Sequence, residues 1–201
     1  MNRKEIKAEA KEILRTNMGA IIKPYLLLTL TSLVISWSIS ENIPKNIDIT
    51  LSFIFNLLLY PISLGLISYI LKFIRKKEFN KKEIFKFYTK FILSAGLYVL
   101  IYIFVSLWTL LLVIPGIIAA ISYAMAPYLM VDGNDDPLNC ITESKKIMNG
   151  YKWDYLKFMF SFFWWYLIII FAFWYVIPYI MVSEALYYEE LKKLTLINET
   201  I

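Results

Sequence analysis

The sequence predicts an all-α, polytopic membrane helix bundle, and three observations support that fold class. Of 201 residues, 59% are hydrophobic and only 18% are charged, which is more apolar and less charged than an ordinary soluble domain. Four long runs contain no charged residue: 24–40, 49–71, 91–131 and 158–183. Nearly all lysines and arginines can be placed on one side of a bilayer. We therefore expect one integral-membrane domain, residues 1–201.

Six transmembrane spans follow from the lengths of these runs. A hydrocarbon core of about 30 Å needs roughly 20 apolar residues per helix, so the run 91–131 must cross twice, with Pro115-Gly116 at its turn. The predicted spans are about Ile21–Ser38, Ile49–Leu71, Phe91–Ile114, Ile117–Val131, Tyr155–Ile169 and Phe171–Tyr188. The last two are short, and no glycine or proline marks their turn. A five-span alternative, with the C-terminus outside, therefore stays open.

The basic residues predict the orientation of the chain. With the N-terminus in the cytoplasm, 20 of the 21 lysines and arginines lie on the cytoplasmic side, and only Lys45 lies outside. Six spans also bring the C-terminus back to the cytoplasm. The first segment carries Glu5, Glu9 and Glu12 and no cleavage pattern follows its apolar run, so we expect an uncleaved first span rather than a signal peptide.

Amphipathic segments before spans one, three and five indicate three parallel hairpin repeats. Each unit has a basic amphipathic helix, a span leading out and a returning span, with bounds near 1–73, 74–131 and 132–201. Apolar residues at helical spacing mark the first two amphipathic helices: Ile6, Ala10, Ile13 and Leu14, then Ile84, Phe87, Tyr88 and Phe91. We expect all three to lie in the cytoplasmic interface of the membrane.

Capping residues predict where the second and third of these helices begin. Asn80 followed by Glu83 is a capping pair before the second helix. Asp136 can cap the third helix, Pro137 suits its first turn, and Asn149-Gly150 would end it. The third helix therefore covers most of the segment between Pro137 and Gly150.

Each returning span contains one proline: Pro61, Pro127 and Pro178. Proline has no amide N–H and its ring clashes with the preceding turn, so we predict a helix kink at each position. The carbonyl groups freed by a kink need other partners, and kinks of this kind can open a central cavity. Ordinary packing in an inert bundle is the alternative interpretation.

The charged segment ITESKKIMNGYKW, residues 141–153, lies between two long apolar runs. Its lysines would face anionic headgroups of the cytoplasmic leaflet, and nearby tryptophans would face acyl chains or an amphipathic peptide. The candidate contacts are Lys145, Lys146, Lys152, Trp153, Trp164 and Trp165. A purely structural role, with the helices as anchors and the tryptophans as packing, is the alternative.

Glu184 is the one ionisable residue that the scheme places near the interior of a span. Because burial of a charge in the membrane costs at least about 2.5 kcal/mol, such a residue suggests function. It would meet a lysine such as Lys157 or a polar substrate. The alternative places it at the cytoplasmic interface, since Glu189 and Glu190 follow closely.

The residue types exclude several kinds of chemistry. Without histidine, the chain has no Ser-His-Asp triad and no histidine-based zinc or haem site, and its lone Cys140 cannot hold a metal. One weak metal candidate has the spacing of a calcium-binding loop: Asp132, Asn134, Asp136 and Glu143. Pro137 stands where such a loop needs glycine, so a polar turn with a helix cap is favoured. We expect no catalytic residue, no cofactor and no nucleic-acid partner.

Several segments together resemble a known family. They are ITESKKIMNGYKW followed by FSFFWW and IPY, with IPGI at residues 114–117 and KEIKAEAKEIL near the start. This chain resembles the bacterial six-span membrane proteins of domain of unknown function 975, although the glycine-rich turn usual between their last two spans is missing here. The resemblance implies a bacterial plasma membrane and no established activity. Similar genes near bacteriocin or export genes suggest immunity or transport.

The predicted function is therefore that of a non-enzymatic, multi-pass membrane protein. It would bind lipid or an amphipathic peptide in envelope maintenance, export or bacteriocin immunity. A small transporter with a central cavity between kinked helices is the first alternative. A scaffold that assembles with itself or with another membrane protein is the second.

Overall fold

The computed structural model describes residues 2–42, 45–76 and 80–199, and every element in these ranges is helical. In order, the helices are α1 (Arg3–Asn42), α2 (Lys45–Lys76), the 3₁₀ helix η1 (Lys81–Lys90), α3 (Phe91–Leu111), α4 (Val113–Tyr123), α5 (Ala126–Val131), α6 (Pro137–Ile147), α7 (Lys152–Phe160) and α8 (Phe163–Glu199). The predicted all-α class is confirmed for this part of the chain.

Four helical stretches among the described residues are long and apolar enough to cross a membrane. They are Arg3–Val34, Thr50–Lys76, Lys81–Leu111 and Val113–Val131. Each overlaps one of the first four predicted spans. The predicted spans five and six have no counterpart among these four stretches.

The first amphipathic helix forms the N-terminal part of α1. Its predicted apolar residues are all buried: Ile6, Ala10, Ile13 and Leu14. At Asn17 the backbone leaves the helical region (φ −123°, ψ 27°), and the side-chain amide donates to the Ile13 carbonyl at 3.2 Å. The amphipathic segment and the apolar segment of α1 therefore meet at a defined break.

The second amphipathic helix, η1, differs from its prediction in helix type. Asn80 caps it, because its side-chain oxygen accepts from the Lys82 amide at 3.1 Å. Ile84 and Phe87 are buried as expected, whereas Tyr88 is 41% exposed. With 3.0 residues per turn, positions i and i+3 share a face, and position i+4 is displaced toward its edge. The Tyr88 hydroxyl still donates to the Leu58 carbonyl of α2 at 3.0 Å, so Tyr88 lies at the edge of the predicted face.

The third amphipathic helix, α6, begins and ends as predicted. The Asp136 carboxylate accepts from the Leu138 amide at 2.9 Å, and Pro137 occupies the first turn. After the helix, Gly150 has a positive φ of 83°, a conformation that glycine adopts without strain.

The turn between α3 and α4 lies earlier than predicted. The extended residue is Leu112 (φ −161°, ψ 144°), while Pro115 sits in the first turn of α4, where its missing N–H leaves no hydrogen bond unmade. Gly116 instead permits close packing, because a Cβ there would lie 2.9 Å from Thr109 Cα. Predicting the turn at Pro115-Gly116 was wrong by about three residues.

The two parts of α8 form a hairpin around Ala172, whose dihedral angles are not helical (φ −134°, ψ 31°). The rings of Trp165 and Tyr179 are 5.4 Å apart, whereas 14 residues of straight helix would separate them by about 21 Å. The charge-free parts of the hairpin's two arms, 163–171 and 173–183, are about 14 and 16 Å long at 1.5 Å per residue. Both are shorter than a hydrocarbon core of about 30 Å.

A set of ion pairs joins the ends of several helices at one end of the bundle, and we call it the polar layer. It consists of Arg3, Arg75, Asp132, Asp154, Glu189 and Lys192. Arg75 on α2 binds both oxygens of Asp132, at 2.7 and 3.0 Å, and reaches Glu189 on α8. The polar layer therefore ties α8 and the α5–α6 loop to α2.

Candidate functional site

A groove of about 670 Å³ lies between α1, α2 and η1, and we call it the basic groove. Its lining residues are Gly19, Ala20, Lys23, Pro24, Leu27, Leu28, Tyr69, Lys81, Ile84 and Phe85. Most of these side chains are apolar, and the volume falls within the range of about 300–1,000 Å³ typical of ligand sites.

Close approach of η1 to α2 forms one wall of the basic groove. At Gly65 on α2 the backbone of Ile84 passes so close that a Cβ would lie 2.7 Å from Ile84 Cα. The opposite wall is held by Tyr69, whose hydroxyl donates to the Ala20 carbonyl at 2.8 Å. The groove therefore depends on a residue without a side chain at position 65.

A polar cluster beneath η1 fixes its position on α2. Lys72 Nζ lies 2.6 Å from Glu83 Oε1, and Ser68 Oγ donates to Glu83 Oε2 at 2.9 Å. The Glu83 side chain is only 11% exposed, so these contacts offset the cost of burying its charge. The predicted capping residue Glu83 thus bonds to the neighbouring helix.

The electrostatics of the basic groove come from two lysines. Lys23 and Lys81 are both exposed, and neither forms an ion pair with any residue in the described ranges. The remaining lining residues carry no charge. An apolar surface with two unneutralised cations matches a molecule that has an apolar body and an anionic group.

Comparison with known proteins places the chain in a family. The family model described as "Protein of unknown function (DUF975)" matches residues 1–122 and 109–195. The chain belongs to this family. No curated protein and no solved structure shows a significant match. Membership of DUF975 confirms the resemblance seen in the sequence, and the family description names no activity.

In this DUF975 protein the lysines predicted to bind headgroups lie outside the basic groove. Lys145 and Lys146 are exposed on α6, and Lys146 pairs with Glu143 at 2.6 Å. Lys152, at the start of α7, is half-buried. Lys23 and Lys81 were not singled out in the sequence, because only the packing of α1 and η1 against α2 places them in the wall of one groove.

The predicted tryptophans do not converge on one site. Trp153 and Trp164 are 65% and 73% exposed, and Lys157 Nζ lies 5.4 Å from the centre of the Trp153 ring. Trp165 packs instead against the rings of the second arm of the α8 hairpin. The outer two fit contact with lipid, and Trp165 fits a packing role.

Glu184 lies between two tyrosines. The hydroxyl groups of Tyr128 and Tyr155 each lie 3.4 Å from one of its carboxylate oxygens. Lys157, the partner considered from sequence, forms no ion pair with Glu184 or with any other described residue. Glu184 is therefore a polar contact between α5, α7 and α8.

The residues of the weak metal candidate are occupied by other contacts. Asp132 belongs to the polar layer, Asp136 caps α6, and Asn134 accepts from the Asp136 amide at 3.2 Å. Glu143 pairs with Lys146. No group of three or more acidic or cysteine side chains that could hold a metal occurs among the residues described. This loop is a polar turn that caps a helix.

The electrostatics of Asp132 reflect its position in the polar layer. Burial would raise the pKa of its carboxyl group, but hydrogen bonds from Arg75, Lys192 and Tyr188 outweigh that effect and lower the pKa below its ordinary value. Lys192 Nζ lies 2.6 Å and the Tyr188 hydroxyl 2.8 Å from Asp132 Oδ2. Asp132 is therefore a negative centre that holds cations from two helices.

The three prolines have different surroundings. Pro127 lies in the first turn of α5, directly after the break between α4 and α5. Pro61 and Pro178 lie inside α2 and α8, and the non-helical residue of α8 is Ala172 rather than a neighbour of Pro178. A chain break thus accompanies Pro127, while the kinks at Pro61 and Pro178 stay predictions.

Proposed function

We propose that this DUF975 protein is a non-enzymatic, multi-pass protein of the bacterial plasma membrane that binds an anionic phospholipid in the basic groove. The observation that carries the proposal is the pairing of an apolar groove with two lysines that have no described acidic partner. Such binding would contribute to envelope maintenance, export or bacteriocin immunity.

The acyl chain would lie against Leu27, Leu28 and Phe85, and the phosphate would meet Lys23 and Lys81. Lysines near a membrane surface attract anionic lipid by about 1 kcal/mol each. The exposed Lys145 and Lys146 of α6 would add a longer-range attraction to the same leaflet. A peptide is disfavoured because the described wall offers only the two lysines as charged groups.

For the topology we propose four complete crossings, with both termini in the cytoplasm. The last hairpin, around Ala172, would enter from the cytoplasmic side and return, because the charge-free parts of its arms are only about 14 and 16 Å long. The polar layer would then lie at the cytoplasmic surface, in agreement with the bias of the basic residues. Six complete crossings remain the alternative from sequence.

The test compares phosphatidylglycerol with phosphatidylcholine as ligands of the purified full chain, by native mass spectrometry. The double substitution Lys23→Gln and Lys81→Gln should weaken phosphatidylglycerol binding roughly 30-fold, since two lysines contribute roughly 2 kcal/mol. Phosphatidylcholine binding should change little.

The matched control is the double substitution Lys145→Gln and Lys146→Gln, which removes the same charge from α6. The affinity of this variant for phosphatidylglycerol should stay within a few-fold of that of wild type. Equal losses in the two double variants would contradict the groove and favour diffuse attraction to the leaflet. No preference for phosphatidylglycerol in the wild type would reject the proposal itself.

A further inference from the structure

A second cavity, of about 710 Å³, lies between α2, α3 and the α4–α5 region, and we call it the tyrosine cavity. Four tyrosines contribute to its wall: Tyr60, Tyr98, Tyr102 and Tyr123. The other lining residues are apolar or carry a hydroxyl group, and none is charged. This cavity shares no lining residue with the basic groove.

The hydroxyl groups of these four tyrosines form no hydrogen bond with another residue in the described part of the chain. The Tyr60 hydroxyl is fully enclosed and makes no hydrogen bond with any described residue. Tyr123 is only 5% exposed, and its hydroxyl, like those of Tyr98 and Tyr102, also bonds to none of the residues described. Tyrosine hydroxyls normally find a partner when buried, and the hydrocarbon of a bilayer supplies no water. The buried Tyr60 hydroxyl, with three further tyrosines lining the same cavity, indicates a ligand with oxygen or nitrogen atoms.

The wall also restricts the charge of that ligand. A phosphate or carboxylate in this cavity would be removed from water without a cation to balance it, which is strongly unfavourable. The aromatic rings, with Tyr60 and Tyr98 centred 5.0 Å apart, provide an apolar surface for the body of the molecule. The ligand is therefore neutral and mostly apolar.

The cavity opens toward the side of the bundle. Tyr102 is 54% exposed and Leu110, at the far end of α3, is 85% exposed. Both belong to a stretch apolar enough to cross a membrane, so this side faces acyl chains. A ligand would reach the cavity laterally from the bilayer.

We propose that the tyrosine cavity binds a neutral lipid that carries a free hydroxyl group, of the diacylglycerol class. Its hydroxyl and ester oxygens bond to the tyrosine hydroxyl groups of the wall, and its acyl chains continue into the bilayer past Leu110. This site is independent of the basic groove, because the two cavities share no lining residue and one would take a neutral lipid, the other an anionic one.

The test uses the purified full chain in detergent, with 1,2-dioleoylglycerol as the probe and ligand-induced thermal stabilisation as the readout. The double substitution Tyr60→Phe and Tyr123→Phe should reduce the diacylglycerol effect at least five-fold. It should not lower the melting temperature of the ligand-free protein, because it removes no hydrogen bond seen in the structure. Tyr151→Phe with Tyr175→Phe, outside the cavity, is the matched control and should bind as wild type does.

A third variant keeps the proposal testable if the double variant folds poorly. Ala120→Leu fills the cavity from α4 and should abolish diacylglycerol binding while phosphatidylglycerol binding in the basic groove persists. The proposal is overturned if the wild type binds no diacylglycerol, or if the phenylalanine variant binds it equally well. Equal binding of phosphatidylcholine would also overturn it, since that result would mean that the cavity binds acyl chains without recognising the free hydroxyl group.

Discussion

The basic groove and the tyrosine cavity have nearly the same volume, about 670 and 710 Å³, but opposite polar character. Lys23 and Lys81 give the groove two cations that have no acidic partner among the described residues, while the cavity wall has hydroxyl groups and no charge. Both use α2 as one wall. Cavities of similar volume in one helical protein can therefore differ in the charge of their walls, and under the two proposals that difference selects the ligand.

Each site also depends on a glycine at which two backbones approach closely. Gly65 brings η1 against α2 beside the groove, and Gly116 brings α4 against Thr109 of α3 beside the cavity. The two sites can therefore be disturbed separately.

The largest expected effect comes from Gly65→Ala and Gly116→Ala. A new Cβ would lie 2.7 Å from Ile84 Cα in the first variant and 2.9 Å from Thr109 Cα in the second, so helices must shift. Overpacking of this kind costs about 1–3 kcal/mol or more. Thermal unfolding in detergent should show that both variants are less stable than wild type. Ligand-binding measurements should distinguish the two variants. Gly65→Ala should lose phosphatidylglycerol binding only, and Gly116→Ala should lose diacylglycerol binding only.

Gly19→Ala is the control for this pair. Its Cβ would meet only Lys23 Cε, at 3.9 Å, and alanine favours helix over glycine, so stability should stay the same or rise by up to about 1 kcal/mol. If Gly65→Ala and Gly116→Ala impaired both ligands alike, the two sites would not be independent.

A smaller effect, shared by both sites, is expected from Asp132→Asn. The substitution weakens the contacts with Arg75, Lys192 and Tyr188 and should cost about 2 kcal/mol, since hydrogen bonds to charged groups contribute about 1.5–3 kcal/mol. Both ligands should be affected equally, because the polar layer holds α8 and the α5–α6 loop to α2 without lining either cavity.

The same residue predicts a pH dependence with a definite sign. The pKa of Asp132 is lower in the folded protein than in the unfolded chain, so its stabilisation is complete above the unfolded value of about 3.9. It is lost as the pH falls through the lower folded value. Melting temperatures measured from pH 7 down to pH 3 should therefore fall more steeply for wild type than for Asp132→Asn. Parallel curves would show that Asp132 does not titrate as the contacts require.

The smallest effect on stability is expected from Ala172→Cys, which tests whether the last hairpin crosses the whole membrane. In a Cys140→Ser background, an impermeant maleimide added to intact cells should not label the hairpin tip if the last hairpin returns within the membrane. Lys45→Cys, in the connection predicted to be external, is the positive control. Labelling of Ala172→Cys as strong as that control would support six complete crossings.

The amino-acid sequence by itself determined the helical class, the presence of helices apolar enough to cross a membrane and the apolar face of α1. It also determined the caps at Asn80 and Asp136, because a cap depends on residues two or three positions away. The faces of helices and the bias of charges are likewise local properties, readable from spacing and composition.

Only the tertiary structure decided which distant residues share a site. Lys23 and Lys81 line the same groove because the glycine at position 65 lets η1 pack closely on α2. The cavity tyrosines lie close together because three helices pack there. Asp132, considered as a metal ligand from spacing, instead binds cations from α2 and α8. Such pairings join residues tens of positions apart in the chain, so the local periodicity of the sequence cannot predict them. They are fixed by how closely the helices pack and by which buried charges find partners.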